Sequence, residues 1–223
     1  MTPPPSQPSP PPPLGPAGFT AELSRLGQNV SRETYSALET YAGLLVKWQK
    51  AINLVSPDSL KDLWRRHFLD SAQLLPLLPS GAAPITDFGS GGGFPGLVLA
   101  ILTGRQVHLI ESDARKCAFL REVAHATGIG PRVSVHNRRF DQLEPWPAPV
   151  ITARACAPLD LLLAHVAPFL APGTVCLFLK GAKADDELTE ARRHWNMRLE
   201  RRRSVTDPSG TILILDDLKR LAT

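Results

Sequence analysis

A short apolar run that ends in a glycine-packed turn restricts this chain to few folds. In Pro84-Ile85-Thr86-Asp87-Phe88-Gly89-Ser90-Gly91-Gly92-Gly93-Phe94-Pro95-Gly96 the run gives way to glycines, and Leu97, Val98, Ala100 and Ile101 follow at helical spacing. Strand, tight turn and helix in that order open an α/β sheet that holds a nucleotide at its carboxyl edge. Glycine suits the turn because a Cβ would block a close ligand or forbid a positive φ. A second run, Gln106-Val107-His108-Leu109-Ile110, delivers Glu111. It stands about twenty residues after the first glycine, where an acid accepts hydrogen bonds from ribose hydroxyls.

The turn fits two cofactors. Gly89-Ser90-Gly91-Gly92-Gly93 matches the GxGxG of S-adenosylmethionine enzymes, and Gly91-Gly92-Gly93-Phe94-Pro95-Gly96 matches the dinucleotide GxGxxG. Position favours the first, because Gly89 follows the apolar run directly. Asp87, two residues earlier, suits the ammonium of a methionyl group and would repel a pyrophosphate. A tight turn without any ligand is the bland alternative.

With 223 residues the chain can build one domain and an appendage. A net charge of +4 permits an acidic partner without requiring one. No apolar run is long enough to cross a bilayer. Met1 to Pro16 is mostly proline and lacks the basic and apolar regions of a signal peptide. Residues 1–18 are therefore expected to form a disordered, dispensable tail. Residues 19–80 should form a helical cap, and 81–223 the cofactor-binding domain. Cys117, Cys156 and Cys176 are widely spaced, with no CxxC and no cluster suited to a metal. They fit reduced thiols in a cytoplasmic protein, each a small core residue.

In the cap, Ser31 is a plausible N-cap, followed by Tyr35, Leu38, Tyr41, Ala42, Leu45 and Trp48 at helical spacing. Asp58 is expected to cap a further helix carrying Leu60, Leu63, Trp64, Phe68 and Leu74. Beyond it the pattern alternates. Strands are predicted near 84–88, 106–111, 131–136, 148–153 and 174–180, with helices near 95–103, 114–127, 158–170 and 183–194. Such alternation implies a mostly parallel sheet covered on both faces. Met197 to Val205 and Thr211 to Leu215, joined by Asp207-Pro208-Ser209-Gly210, read as an antiparallel hairpin. The expected class is α/β: a Rossmann-like methyltransferase fold ending in that hairpin, with an N-terminal helical cap.

Several stretches together resemble the ribosomal RNA small-subunit methyltransferase G family, also called glucose-inhibited division protein B. They are Trp48-Gln49-Lys50-Ala51-Ile52-Asn53-Leu54-Val55-Ser56, Arg66-His67-Phe68-Leu69-Asp70-Ser71, the Asp87–Gly96 turn, and Leu109-Ile110-Glu111-Ser112 leading to Phe119-Leu120-Arg121. Thr152-Ala153-Arg154-Ala155 and Leu179-Lys180-Gly181 continue the match. The Arg-His-x-x-Asp-Ser element is the specific part, since methyltransferases in general lack it. Gln49 stands where the family often has Asn, and Glu111 where it often has Asp. The proline-rich start and the arginines at 198–203 are not family features.

The resemblance implies methylation of guanine N7 in the 530 loop of 16S ribosomal RNA, with S-adenosylmethionine as donor. The alternative is a donor-dependent methyltransferase of another RNA, a small molecule or a protein. N7 carries a lone pair and no proton, so catalysis needs alignment rather than a base. In keeping, Ile151-Thr152-Ala153-Arg154 replaces the Asn/Asp-Pro-Pro-aromatic motif of exocyclic amine methylation. Cys156 lacks the flanking proline of a cytosine C5 nucleophile. The cofactor set implied is Asp87, Gly89, Gly91, Gly93, Phe94, Glu111, Phe140, Asp141 and Arg154, with Arg154 also orienting the reaction. Arg65, Arg66, Arg138, Arg139, Arg201, Arg202 and Arg203 are candidates for RNA phosphates. A cytoplasmic monomer free of metal and membrane is expected, with the small ribosomal subunit or its precursor as partner.

Overall fold

The computed structural model describes residues 12–221, so the first eleven residues of the expected tail lie outside the described residues. The helix α1 spans Pro16–Arg25, so the end of the stretch expected as a tail is ordered structure. Its buried Phe19 and Leu23 explain why, since Phe19 lies against Trp64 and Phe68 with ring centroids 5.2 and 6.3 Å apart. Helix α2, Arg32–Gln49, begins where expected, with the Ser31 hydroxyl accepting from the Thr34 amide.

The next segment corrects the expectation of a helix capped by Asp58. Pro57–Asp62 is a 3-10 turn with no side-chain cap, and Asp58 is ion-paired with Lys61 at 2.9 Å. A π-helical turn follows at Trp64–Leu69 and runs into the short helix α3, Asp70–Ala72. Such widened turns recur at functional sites.

Five parallel strands come next: β1 Ile85–Phe88, β2 Val107–Glu111, β3 Val133–Asn137, β4 Val150–Arg154 and β5 Val175–Lys180. Helices α4 Gly96–Thr103, α5 Ala114–Ala126, α6 Leu159–Val166 and α7 Ala184–Ala191 follow β1, β2, β4 and β5. Strands β6 Trp195–Arg203 and β7 Thr211–Arg220 close the chain as the predicted hairpin. The order is β3-β2-β1-β4-β5-β7-β6, with only the β7 pairings antiparallel. The strand order reverses at β1, which lies between β2 and β4 and is parallel to both, and such a switch point is where an open α/β sheet leaves a crevice.

Alternation sorts the strand side chains onto two cores. Leu177, Leu179, Ile85 and Leu109 pack with the cap, α4 and α5. Cys176, Phe178, Ile110 and Leu213 pack with α6 and α7 on the other face. The first core runs without interruption from Phe19 in α1 to Ile212 in β7, so the cap rests directly on the sheet.

Candidate active site

A cavity of about 960 Å³ opens at the carboxyl ends of β1, β2, β4 and β5. The glycine turn, the tips of β2 and β4, the cap and the hairpin loop each form part of its wall. Gly89 and Gly91 adopt φ of +69° and +53°, the left-handed region that only glycine enters without strain. The turn is held from below by Glu111, whose Oε2 accepts from the Gly91 amide at 3.0 Å and whose Oε1 accepts from Asp113 at 2.8 Å. Glu111 is 8% exposed and lines the cavity.

Across the cavity, Arg154 leaves the end of β4 and reaches the cap. Its Nη2 donates to His67 Nδ1 at 2.8 Å, and its Nη1 donates to the Arg66 carbonyl at 2.9 Å and to Asp70 Oδ2 at 3.3 Å. The guanidinium sits 5.0 Å from the Phe94 ring centroid. Phe94 itself is 3% exposed and stacks on Tyr41 at 5.1 Å, so one ring serves both the cap core and the cavity wall. His67 Nε2 lies 2.7 Å from Ser59 Oγ. Burial, aided by the charges of Arg154 and Arg66, pushes the imidazole down to about 3, so it is neutral.

The family described as rRNA small subunit methyltransferase G matches residues 34–211. The chain belongs to this family. Ribosomal RNA small subunit methyltransferase G of Paramagnetospirillum magneticum is 56% identical over 191 residues, covering 86% of this chain and 92% of that protein. Its counterpart in Rhodospirillum rubrum is 51% identical over 207 residues, covering 93% and 100%. Among solved structures, an O-methyltransferase from Bacillus cereus in complex with SAH superposes with a TM-score of 0.54 at 14% identity, covering 90% of this chain and 99% of that one. A tRNA methyltransferase from Aquifex aeolicus gives 0.55 at 16% identity, covering 82% and 77%. At such identities these neighbours speak to the fold, a Rossmann-like methyltransferase sheet.

Of the residues singled out in this methyltransferase, Gly89, Gly91, Phe94, Glu111, Phe140, Arg154 and Arg66 line the cavity. Asp87 does not. It is fully buried beneath the turn, where Oδ1 accepts from Thr152 Oγ1 at 2.7 Å and Oδ2 has no hydrogen-bond partner. Burial pushes this carboxyl up to about 6, opposed by the Thr152 and Ser90 hydroxyls. Gly93 also faces away, because a Cβ there would come within 2.5 Å of Leu97 Cδ1 and 2.6 Å of the Tyr41 hydroxyl. Its positive φ serves the packing of the cap, not the cavity. Asp141 is exposed and paired with Arg139 at 3.3 Å, outside the cavity wall.

The other arginines are dispersed. Arg65 is bound by Asp62 at 2.8 Å and by the Pro12 carbonyl at 2.8 Å, which ties the start of the described chain to the cap. Arg201 pairs with Asp185 and Arg202 with Glu200, both on or beside the edge strand β6. Arg203 lies opposite Thr211, itself opposite Lys180, and so stands at the cavity end of the hairpin. Arg138 is exposed at the end of β3. The hairpin loop is legible in sequence only as a turn. Ser204, Asp207 and Gly210 nevertheless line the cavity, because Arg66 pairs with Asp207 at 2.9 Å and draws the loop over it.

Proposed function

We propose that this methyltransferase transfers a methyl group from S-adenosylmethionine to N7 of a guanine in the 530 loop of 16S ribosomal RNA, with no general base. The observation that carries the base-free reading is the state of the cavity wall. Each carboxylate or imidazole lining it among the described residues already accepts from a protein donor: Glu111 from Gly91 and Asp113, His67 and Asp70 from Arg154, Glu187 from Leu159, and Asp207 from Arg66 and Ser209. None is an unengaged base. Burial pushes the Cys156 thiol up to about 11, which leaves it a poor nucleophile. A reaction needing proton removal would lack an agent here, and guanine N7 needs none.

The residues present fit the donor. Bound S-adenosylmethionine supplies a methyl group activated by its sulfonium. An ionised carboxylate has about four lone-pair sites, and Glu111 has committed two, which leaves room for both ribose hydroxyls. At Gly91 a Cβ would meet nothing nearer than the Gly89 carbonyl at 3.7 Å, so the backbone there is open to a close ligand. Phe140, held against Phe88 at 5.3 Å, offers a face beside the adenine position, and Asp141 next to it could accept from the exocyclic amine. Arg154 orients the methionyl carboxylate. What the chain contributes to rate is alignment, worth several powers of ten when reacting atoms are held in line.

Arg66, Arg138, Arg139 and Arg203 are proposed to contact RNA phosphates around the mouth. Exposed ion pairs such as Arg66 with Asp207 and Arg139 with Asp141 are weak enough to exchange for phosphate. No helix among the described residues is long and apolar enough to cross a membrane. As part of the proposal, the enzyme acts as a monomer in the cytoplasm, where a ribosomal RNA substrate resides. Nucleoside mass spectrometry of 16S RNA from a strain lacking the gene tests the function. Loss of 7-methylguanosine from the 530 loop is expected, and an unchanged content overturns the reading. Cys156→Ser should retain activity within a few fold.

A further inference from the structure

We propose that His67 and Asp70 are positioning residues for methyl transfer, holding the Arg154 guanidinium in one orientation at the cavity wall and acting on the reaction only through it. The proposal rests on the function argued above and assigns work to His67 and Asp70, whose individual roles are not legible in sequence.

An arginine at a strand end is long and free to rotate, and a free arginine orients nothing. Here three of its five N–H groups are spent on the cap: two from Nη1 on the Arg66 carbonyl and Asp70, one from Nη2 on His67. The Phe94 ring covers the guanidinium face. The remaining Nε–H and Nη2–H have no protein acceptor among the described residues, and Arg154 lines the cavity. Those two groups are what a carboxylate or a base oxygen in the cavity would meet.

The acceptors are themselves fixed. Because Nδ1 accepts from Arg154, the ring proton sits on Nε2 and is donated to Ser59 Oγ at 2.7 Å, whose own proton goes to the Ser56 carbonyl at 2.7 Å. Donors and acceptors agree along the whole relay with one tautomer only. A second ring proton would set N–H against N–H beside a guanidinium. Asp70 is set from the opposite side: its Oδ1 accepts from Thr206 Oγ1 at 2.6 Å and from Gln73 Nε2 at 2.8 Å, while Oδ2 faces Arg154. Gln73 Oε1 in turn accepts from the Val205 amide at 2.9 Å. One carboxylate therefore joins the cap, the tip of β4 and the hairpin loop, so its placement depends on all three being assembled.

A thermodynamic cycle separates this role from mere structure. The purified full chain is assayed for single-turnover methylation of 16S RNA and, by calorimetry, for S-adenosylmethionine affinity. The variants are His67→Leu, Asp70→Asn, Arg154→Ala and the doubles with Arg154→Ala. His67→Leu should slow methylation about tenfold. His67→Asn, whose Oδ1 falls near the lost Nδ1, should recover to within about threefold of wild type. In the Arg154→Ala background neither His67→Leu nor Asp70→Asn should cost anything more, in rate or in affinity. Wild-type behaviour of His67→Leu, or losses that multiply with that of Arg154→Ala, overturns the proposal. Should His67→Leu fail to fold, the Asp70→Asn arm carries the same cycle. A wild-type protein that binds the donor but leaves 16S RNA unmethylated would sink the function instead, and the affinity cycle would still decide the clamp.

Discussion

Gly93 shows at residue scale how one glycine motif serves two ends. Gly89 and Gly91 shape the cavity, whereas Gly93, at φ +89°, lets Tyr41 and Leu97 close over it. Gly93→Ala should destabilise the fold by about 2–4 kcal/mol, from backbone strain and overpacking together, read by urea denaturation. Glu111→Ala should weaken S-adenosylmethionine binding by about 1–3 kcal/mol, the scale of hydrogen bonds to a charged group, read by calorimetry. Asp87 gives a pH signature. Its folded-state value, raised to about 6, lies above that of the unfolded chain, so its contribution to stability is fully present below the unfolded value and is lost as pH rises through 6. Asp87→Asn removes that loss. Its gain in stability should be larger at pH 8 than at pH 5, by about 1 kcal/mol in paired thermal melts.

At the scale of elements, the strands and the helices over the sheet are legible in sequence because apolar periodicity is dictated by burial, and both faces of this sheet are buried. The misreadings fall where burial is partial. β7 runs to Arg220, five residues past Leu215, because beyond the end of β5 it continues paired with β6 alone, where Asp217, Lys219 and Arg220 are exposed while Leu218 still packs on the second core. Asp58 has the chemistry of a cap but sits inside a 3-10 turn started by Pro57. Gln49, the departure from the family's Asn, fixes a loop that lines the cavity, since its Oε1 accepts from the Leu54 and Val55 amides. The arginines of β6 lie on an unpaired sheet edge, where charge discourages association with another strand. Only Arg203 is at the cavity end. Arg203→Ala should reduce the salt dependence of RNA binding by about one unit of slope, and Arg201→Ala should leave it unchanged, by filter binding across a salt series.

For the whole molecule, the cap and the sheet share one core, with Phe19, Tyr41, Phe68 and Phe94 continuous with Leu97 and Leu109. A cap that melted first would expose that core, so calorimetry should show a single transition whose calorimetric and van't Hoff enthalpies agree. Deleting residues 12–25 together with the preceding tail would remove Phe19 and Leu23 and uncover Trp64 and Phe68. The melting temperature should then fall by well over 5 °C.

The amino-acid sequence by itself determined the parallel sheet, the glycine turn, the acid at the tip of β2 and the family, because periodicity and motif spacing are properties of neighbouring residues. Tertiary structure alone decided that Asp87 is sealed beneath the turn, that Gly93 serves the cap, and that Arg154 is gripped by His67 and Asp70 from more than 80 positions earlier in the chain. Those facts depend on which side chains meet after the cap, the sheet and the hairpin have packed, and no local pattern encodes a meeting between residues so far apart.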